Sequence, residues 1–332
     1  MASCSRGVVA LVNDNAEPLL FLMGPTGVGK SALAMALAAR LPVEIVSVDS
    51  AQVYCGFDIG TAKPNPAARR RVPHHLLDIC APSAAYSAAQ FRLDAQSAIV
   101  AIRARGRTPL MVGGTGLYFR AFERGLADLP AADPQVRASL QAELVNSGAH
   151  ALHAQLAVID PRAAARIHPN DPQRLVRALE VHAMTGICQS DLWERQPCAP
   201  HVGQIVKLVI APTDRAWLHQ HLALRFDLML ERGLINEVRA LCDVGGLDAN
   251  TPAMRTVGYR EVWRYLVGDY SRSLMVERGI AATRQLAKRQ LTWLRRESDC
   301  TWLDCTDRAL FDRAIRTIRE QVIFKRDGSD LE

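Results

Sequence analysis

An apolar run that breaks into a glycine-rich turn and a lysine-serine pair constrains this chain more than any other stretch: Leu19-Leu20-Phe21-Leu22-Met23, then Gly24-Pro25-Thr26-Gly27-Val28-Gly29-Lys30-Ser31. The spacing is G-x-x-x-x-G-K-S. Residues 19–23 predict a buried strand, and Ala32-Leu33-Ala34-Met35-Ala36-Leu37-Ala38 is made of strong helix formers, so the turn joins a strand end to a helix start. Backbone amides in such a turn converge on a polyphosphate, the helix dipole adds positive potential, Lys30 supplies a point charge and the Ser31 hydroxyl can ligate Mg²⁺. Kinases, NTPases and some transferases share this loop, so it identifies phosphate binding and leaves the chemistry open.

At 332 residues, 49% of them hydrophobic, the chain suits one α/β core with a further unit. The apolar stretch Val8–Val12 is too short for a membrane span or a secretory signal, residues 1–18 read as a loose leader, and cytoplasmic residence with no membrane partner is expected. Eight cysteines without a C-x-x-C pair suggest neither a disulfide framework nor a zinc site. A net charge of +6 and a pI near 9.0 are compatible with a polyanionic partner but do not require one.

Val43–Val48 predicts a second strand, ending at Asp49-Ser50-Ala51-Gln52. A carboxylate there, where α/β sheets hold ligands, is a candidate base; equally, Asp after a strand is a common turn cap, and both readings stay open. Pro73–Ile79 reads as a short strand whose His74 and His75 are hydrogen-bonding residues in preference to metal ligands. Ser87 caps a long helix to Arg105, closed by Gly106, and Thr108–Val112 is the next strand. That strand ends in Gly113-Gly114-Thr115-Gly116 where an NTPase would carry an acidic Mg²⁺ ligand, which argues against motor or switch function.

From Asp128 the pattern changes to helices opened by Asp133-Pro134, Asp160-Pro161 and Asp171-Pro172, with Gly148 and Gly186 as stops. Gln204–Ile210 restores a strand. The expected organisation is therefore a P-loop parallel-sheet α/β core in residues 1–127, an all-helical insertion domain in 128–203, and core completion with additional C-terminal helices in 204–332. In the helix after Asp214, Arg225 shares an otherwise apolar row with Leu218, Leu222 and Met229; its head either snorkels to water or reaches the phosphates of the loop. In the long helix from Ser271 to Glu297, Arg284, Lys288, Thr292 and Arg295 fall on one side, as a solvated basic face or as a track for a nucleic-acid backbone. A strand at Thr301–Asp304 and a final helix close the chain.

In these motifs the sequence resembles the bacterial tRNA dimethylallyltransferases. The resemblance runs from Phe21 to about Leu303 through Gly24–Ser31, Ser47–Tyr54, Asp58–Pro64, Pro73–Ile79, Val112–Tyr118, His168–Glu180, Val257–Arg260 and Thr283–Arg295. It implies that the loop holds the diphosphate of dimethylallyl diphosphate, with Mg²⁺ at Ser31, while the exocyclic amine of the adenosine 3′ to the anticodon attacks the allylic carbon. It implies Asp49 as general base, and Thr26 and Arg225 at the donor. It also implies that the tRNA anticodon stem-loop is held by Asp49, Ser50, Ala51 and Gln52; by Thr115 and Arg137; by Gln173, Arg174, Leu175, Val176 and Arg177; by Arg255, Thr256, Val257, Gly258, Tyr259 and Arg260; and by Lys288, Arg289, Gln290, Leu291, Thr292, Trp293, Leu294 and Arg295. A monomer is expected. The competing readings are a small-molecule kinase of the same fold and a non-catalytic RNA-binding module with a vestigial loop.

Overall fold

The computed structural model describes residues 18–195, 203–248 and 251–322; most of the expected leader, Cys4, Cys198 and the last ten residues lie outside the described residues. In chain order the elements are β1 Leu19–Met23, α1 Lys30–Ala38, β2 Val43–Val48, α2 Pro66–Arg71, β3 His74–His75, α3 Ala88–Ala104, β4 Thr108–Gly113, α4 Gly116–Arg124, α5 Pro134–Ile159, α6 Pro161–Arg166, α7 Pro172–Thr185, α8 Gln189–Glu194, β5 Ile205–Ala211, α9 Arg215–Glu231, α10 Leu234–Asp243, α11 Tyr259–Leu266, α12 Arg272–Leu294, β6 Cys300–Asp304 and α13 Leu310–Gln321. They form two compact units. One comprises residues up to Glu123 and those after the break at 203; the other begins at Arg124 and is described to Arg195.

The first unit is built on one six-stranded sheet in the order β3-β2-β4-β1-β5-β6, every pair parallel. Parallel strands buried on both faces read as near-continuous apolar runs, and β1, β2 and β4 are buried at every position. The pleat still sorts them by side. Leu20, Leu22, Ile45, Leu110, Val112 and Leu208 pack one core with α1 and α13; Phe21, Val46, Val48, Met111 and Val209 pack the other with α3 and α4. On the second face Phe21 meets Phe119 at a ring-centroid distance of 4.9 Å. Because all strands point the same way, the turns after β1, β2, β4, β5 and β6 open at a single edge, where ligands of such sheets bind.

The expected strand over Pro73–Ile79 is only His74–His75, because Leu76 (φ 62°) and Asp78 (φ 55°) leave extended geometry immediately afterwards. Asp78 turns back to pair with Lys63 at 2.6 Å and Arg69 at 2.7 Å. His74 Nδ1 bonds the Val72 carbonyl and His75 Nε2 bonds Glu44, so both histidines serve the sheet edge. Helices α2, α4, α10 and α11 are not among the expected elements, although α2 opens on Asn65-Pro66 and Asn65 accepts from the Ala68 amide at 2.8 Å.

In the second unit the three Asp-Pro pairs open helices as expected. Asp133 accepts from the amides of Gln135 and Val136, Asp160 from Ala163 and Asp171 from Arg174, each such cap being worth about 1 kcal/mol. Gly148 (φ 80°, ψ 165°) interrupts α5, and Gly186 (φ 68°) ends α7. Leu152, Leu156, Leu175, Val176 and Leu179 form this unit's own core.

Lys207 lies buried in β5, where its ammonium donates to Glu123 at 2.5 Å. Among the described residues Glu123 has no other hydrogen-bond or ion-pair partner, so Lys207→Met strands a largely buried carboxylate. Breaking a buried pair costs about 3–5 kcal/mol, and a loss toward the lower end is expected because Glu123 keeps some exposure. Urea unfolding checks this; a loss below about 1 kcal/mol counts the pair as unimportant.

Candidate active site

The loop after β1 folds as its residues dictate. Gly29 holds φ 86° at the N-cap of α1, a left-handed conformation that glycine alone adopts without strain, and a Cβ on Gly24 would sit 2.4 Å from the Ile210 carbonyl. Inside the loop the Lys30 ammonium donates to the carbonyls of Gly24 at 2.9 Å and Pro25 at 2.7 Å. Burial lowers its pKa to about 8; Asp49 opposes that shift and the Arg225 cation adds to it. Arg225 comes from α9. Burial holds its guanidinium below the ordinary arginine value, again with Asp49 opposing. Among the described residues Arg225 makes no hydrogen bond and no ion pair. It lines a cavity of about 50 Å³ together with Thr26, Gly60, Leu222 and Gly258. Two cations and one carboxylate therefore surround the loop, an excess of positive charge that suits a bound polyanion.

Of the two readings open to Asp49, the structure shows the turn cap. Its Oδ1 caps the turn, accepting from the amides of Ala51 at 2.9 Å and Gln52 at 3.3 Å. Its Oδ2 has no partner among the described residues. The turn is braced sideways: the Ser50 amide donates to Thr115 Oγ1 at 3.0 Å, Ser47 Oγ donates to Gln52 Oε1 at 2.9 Å, and Gln52 Nε2 donates to the Thr61 carbonyl at 3.1 Å. A second brace comes from α12, where Gln290 accepts from the Thr26 amide at 2.8 Å and donates to the Gly114 carbonyl at 3.0 Å. One side chain thus links the phosphate loop to the turn that replaces an acidic strand end.

The profile of the IPP transferase family matches residues 52–297 and that of isopentenyl transferases residues 18–75. The chain belongs to the IPP transferase family. It is 55% identical over 292 residues to the tRNA dimethylallyltransferase of Halorhodospira halophila, a match covering 88% of this chain and 94% of that one. The crystal structure of full-length tRNA isopentenylpyrophosphate transferase from Bacillus halodurans is similar, with TM-score 0.66, 37% identity and coverage of 92% of this chain and 98% of that one. So is a eukaryotic dimethylallyltransferase structure determined with the enzyme acting on tRNA, with TM-score 0.75, 27% identity and coverage of 94% and 81%.

For an IPP transferase the expected RNA-facing stretches divide by burial. Exposed side chains include Ser50, Gln173, Arg174, Arg255, Arg260, Lys288, Arg289, Thr292 and Arg295. Leu175, Val176, Tyr259 and Leu294 are buried, so they act through packing and not through their own contacts with a ligand. Trp293 stacks toward Phe119, and Gln290 is committed to the two loops. In the helical unit Arg137 and Arg177 both bond the buried Glu180, at 2.8 and 2.7 Å. Arg260 pairs with Glu261 at 2.6 Å.

Glu237 on α10 carries no motif, yet it organises one wall of the cavity. Its carboxylate accepts from the amides of Asp58, Ile59 and Gly60, at 3.3, 2.7 and 3.2 Å, and from the Tyr259 hydroxyl at 2.5 Å. A glutamate near a helix start is too common a sequence feature to single out. Ser31 is exposed, and its hydroxyl has no hydrogen-bond partner among the described residues. Phosphate-bound Mg²⁺ usually takes only one or two protein ligands and keeps several waters, so a single free hydroxyl beside the loop fits that ion.

The depressed pKa of Lys30 can be read directly. Only five lysines are present, so side-chain NMR should resolve a lysine titrating near 8 in the free protein. Inorganic diphosphate stabilises the cation and should move that midpoint up by about one unit or more, roughly 1.4 kcal/mol. A Lys30 that titrates above 10 without ligand contradicts the burial argument.

Proposed function

We propose that the protein transfers a dimethylallyl group from dimethylallyl diphosphate to the exocyclic amine of the adenosine 3′-adjacent to the anticodon in tRNA, in the cytoplasm, releasing diphosphate. The observation that carries this reading is the loop itself: Lys30 and Arg225 face it, Arg225 and one oxygen of Asp49 have no partner among the described residues, and the strand end that carries an acidic Mg²⁺ ligand in an NTPase is Gly113-Gly114. Membership of the IPP transferase family, with tRNA-modifying relatives over most of the chain, supports it.

The donor's diphosphate lies on the amides of Gly27–Ser31, with Lys30, Thr26 and Arg225 against its oxygens. As the allylic C–O bond breaks, negative charge grows on the departing diphosphate, and these groups neutralise it. Preorganised donors of this kind each contribute roughly 10²-fold or more. The adenosine N6 forms the new N–C bond to the allylic carbon, and its proton passes to Asp49 Oδ2 while Oδ1 stays on Ala51 and Gln52. Mg²⁺ on the Ser31 hydroxyl supplies further charge neutralisation on the diphosphate when bound. No water is activated in this transfer, so no residue that orients water is needed.

To be attacked from, the base must leave its stack in the anticodon loop, at a cost of a few kcal/mol offset by contacts to the RNA backbone. The exposed arginines and lysine of Arg255–Arg260 and Lys288–Arg295, and in the helical unit Arg174 with Arg137 and Arg177, are the groups we assign to that backbone. No helix among the described residues is long and apolar enough to cross a membrane.

Purified protein given dimethylallyl diphosphate and unmodified tRNA should yield prenylated adenosine by nucleoside mass spectrometry; consumption of ATP with every adenosine left unprenylated would favour a kinase instead. Asp49→Asn keeps the cap and loses the base, so kcat should fall by about 10²–10⁴ with donor affinity within a few-fold of the parent enzyme. Turnover near the parent value at saturating tRNA and donor removes Asp49 from the proton-transfer role.

A further inference from the structure

A second cavity, of about 510 Å³, opens at the same edge of the sheet, beyond α12 from the phosphate loop. Its floor is the ends of β5 and β6, and its walls are the first turns of α9 and one face of α12. Arg284, Lys288, Thr292 and Arg295, the row noted on that helix, all line it, joined by Arg215 from α9. Among the described residues Arg215, Lys288 and Arg295 form no ion pair. Among the described residues Arg215 bonds only His219, at 3.4 Å, and Arg284 donates from Nη2 to the His219 carbonyl at 3.4 Å while its buried Nε has no hydrogen-bond partner. The lining carboxylate, Asp304, is occupied by Thr213 and by the Thr306 amide at 2.8 Å. At the rim stands Trp302, an indole left 44% exposed on the edge strand.

A concave surface with four cations and no free carboxylate is an anion site, and its volume is that of a small-ligand pocket. Two features point to RNA over a lone anion. The cations are spread along three turns of α12, as a polymer backbone needs, and an exposed aromatic stands next to them, the arrangement by which single-stranded bases are held. Only β5 separates β6 from β1, so their ends lie about 10 Å apart. Lys288 and Arg295 belong to the stretch already assigned to tRNA; Arg215 and Trp302 belong to no motif.

We propose that this cavity holds a nucleotide of the tRNA flanking the target adenosine, its phosphate on Arg215, Lys288 and Arg295 and its base against Trp302. The proposal rests on the tRNA-prenylating reading of the active site.

The test uses the full chain, with unmodified tRNA binding measured by filter retention over a salt series. Arg215→Glu should weaken binding about tenfold or more and lower the salt slope by about one. Trp302→Ala should weaken it about 5- to 100-fold, the range of a lost base stack, with the slope unchanged, and Trp302→Phe should recover most of the loss. Affinity for inorganic diphosphate should stay within twofold in all three. If both Arg215→Glu and Trp302→Ala bind tRNA within twofold of the parent protein, the proposal fails. It fails equally if a nucleoside monophosphate quenches Trp302 fluorescence, the quenching being absent from Trp302→Ala, and tRNA does not compete with it. Because these are binding measurements, a protein that binds tRNA in this way but transfers no dimethylallyl group overturns the functional reading and leaves the cavity assignment standing. A protein that transfers the group while both variants bind normally does the opposite.

Discussion

Positive charge that nothing in the protein fully neutralises is the constraint around which this site is organised. Arg225 disfavours the ionisation of Lys30 and Arg232 that of Arg225, burial disfavours both, and one carboxylate, Asp49, opposes these effects. Folding alone gains little from that arrangement: among the described residues the ammonium is left on two carbonyls and the guanidinium without a partner. In the reaction proposed above, a diphosphate would relieve the imbalance most completely when its charge is largest, after the bond to carbon has broken. Groups proposed to bind the donor would then favour the departed leaving group over the intact ester, which is the condition for accelerating the reaction and not merely holding the substrate.

Such a balance requires fixed geometry, and the fold supplies it from several directions. The sheet sets the loop after β1 between the ends of β4 and β5, its nearest neighbours. Gln290 then locks that loop to Gly114, and Thr115 locks the next turn to Ser50. Glu237 holds Asp58–Gly60 by their amides and fixes Tyr259, whose hydroxyl is pushed to a higher pKa by burial and by that same carboxylate. Each brace joins segments distant in sequence, so the site exists only once α12 has packed on the sheet and α10 on α9 and α11.

That is also why the sequence reveals some parts and hides others. The phosphate loop is legible because its chemistry is local: a strand, three glycines, a lysine and a helix start lie within thirteen residues. The strands at 19–23, 43–48, 108–112 and 205–210 are legible because burial on both faces forces continuous apolar runs. The Asp-Pro helix starts announce themselves by caps. By contrast, the turn of Pro73–Ile79 out of extended geometry follows from Lys63 and Arg69 holding Asp78, partners that no window around Asp78 shows together. Glu237 and the bridging role of Gln290 are invisible for the same reason. Within Lys288–Arg295 the pattern could assign a basic face but could not tell that Leu294 is buried, since alternating charges and apolar residues fit either side of a helix until its neighbours are known.

Asp49 shows how local and long-range demands meet in one residue. A strand-end aspartate caps a turn in many proteins, and a base at a sheet edge is common in α/β enzymes; the two readings compete only if one oxygen must serve both. Here the cap uses Oδ1, and the backbone amides of Ala51 and Gln52 fix the carboxylate's orientation. A base that must take a proton from an aromatic amine, a weak nucleophile, gains from being held in one direction, because a freely rotating carboxylate would have to be ordered again in every turnover. In the proposed reaction the cap is therefore part of the catalytic geometry, and the Ser50–Thr115 contact that holds the turn against β4 extends that control to the strand that ends in glycine.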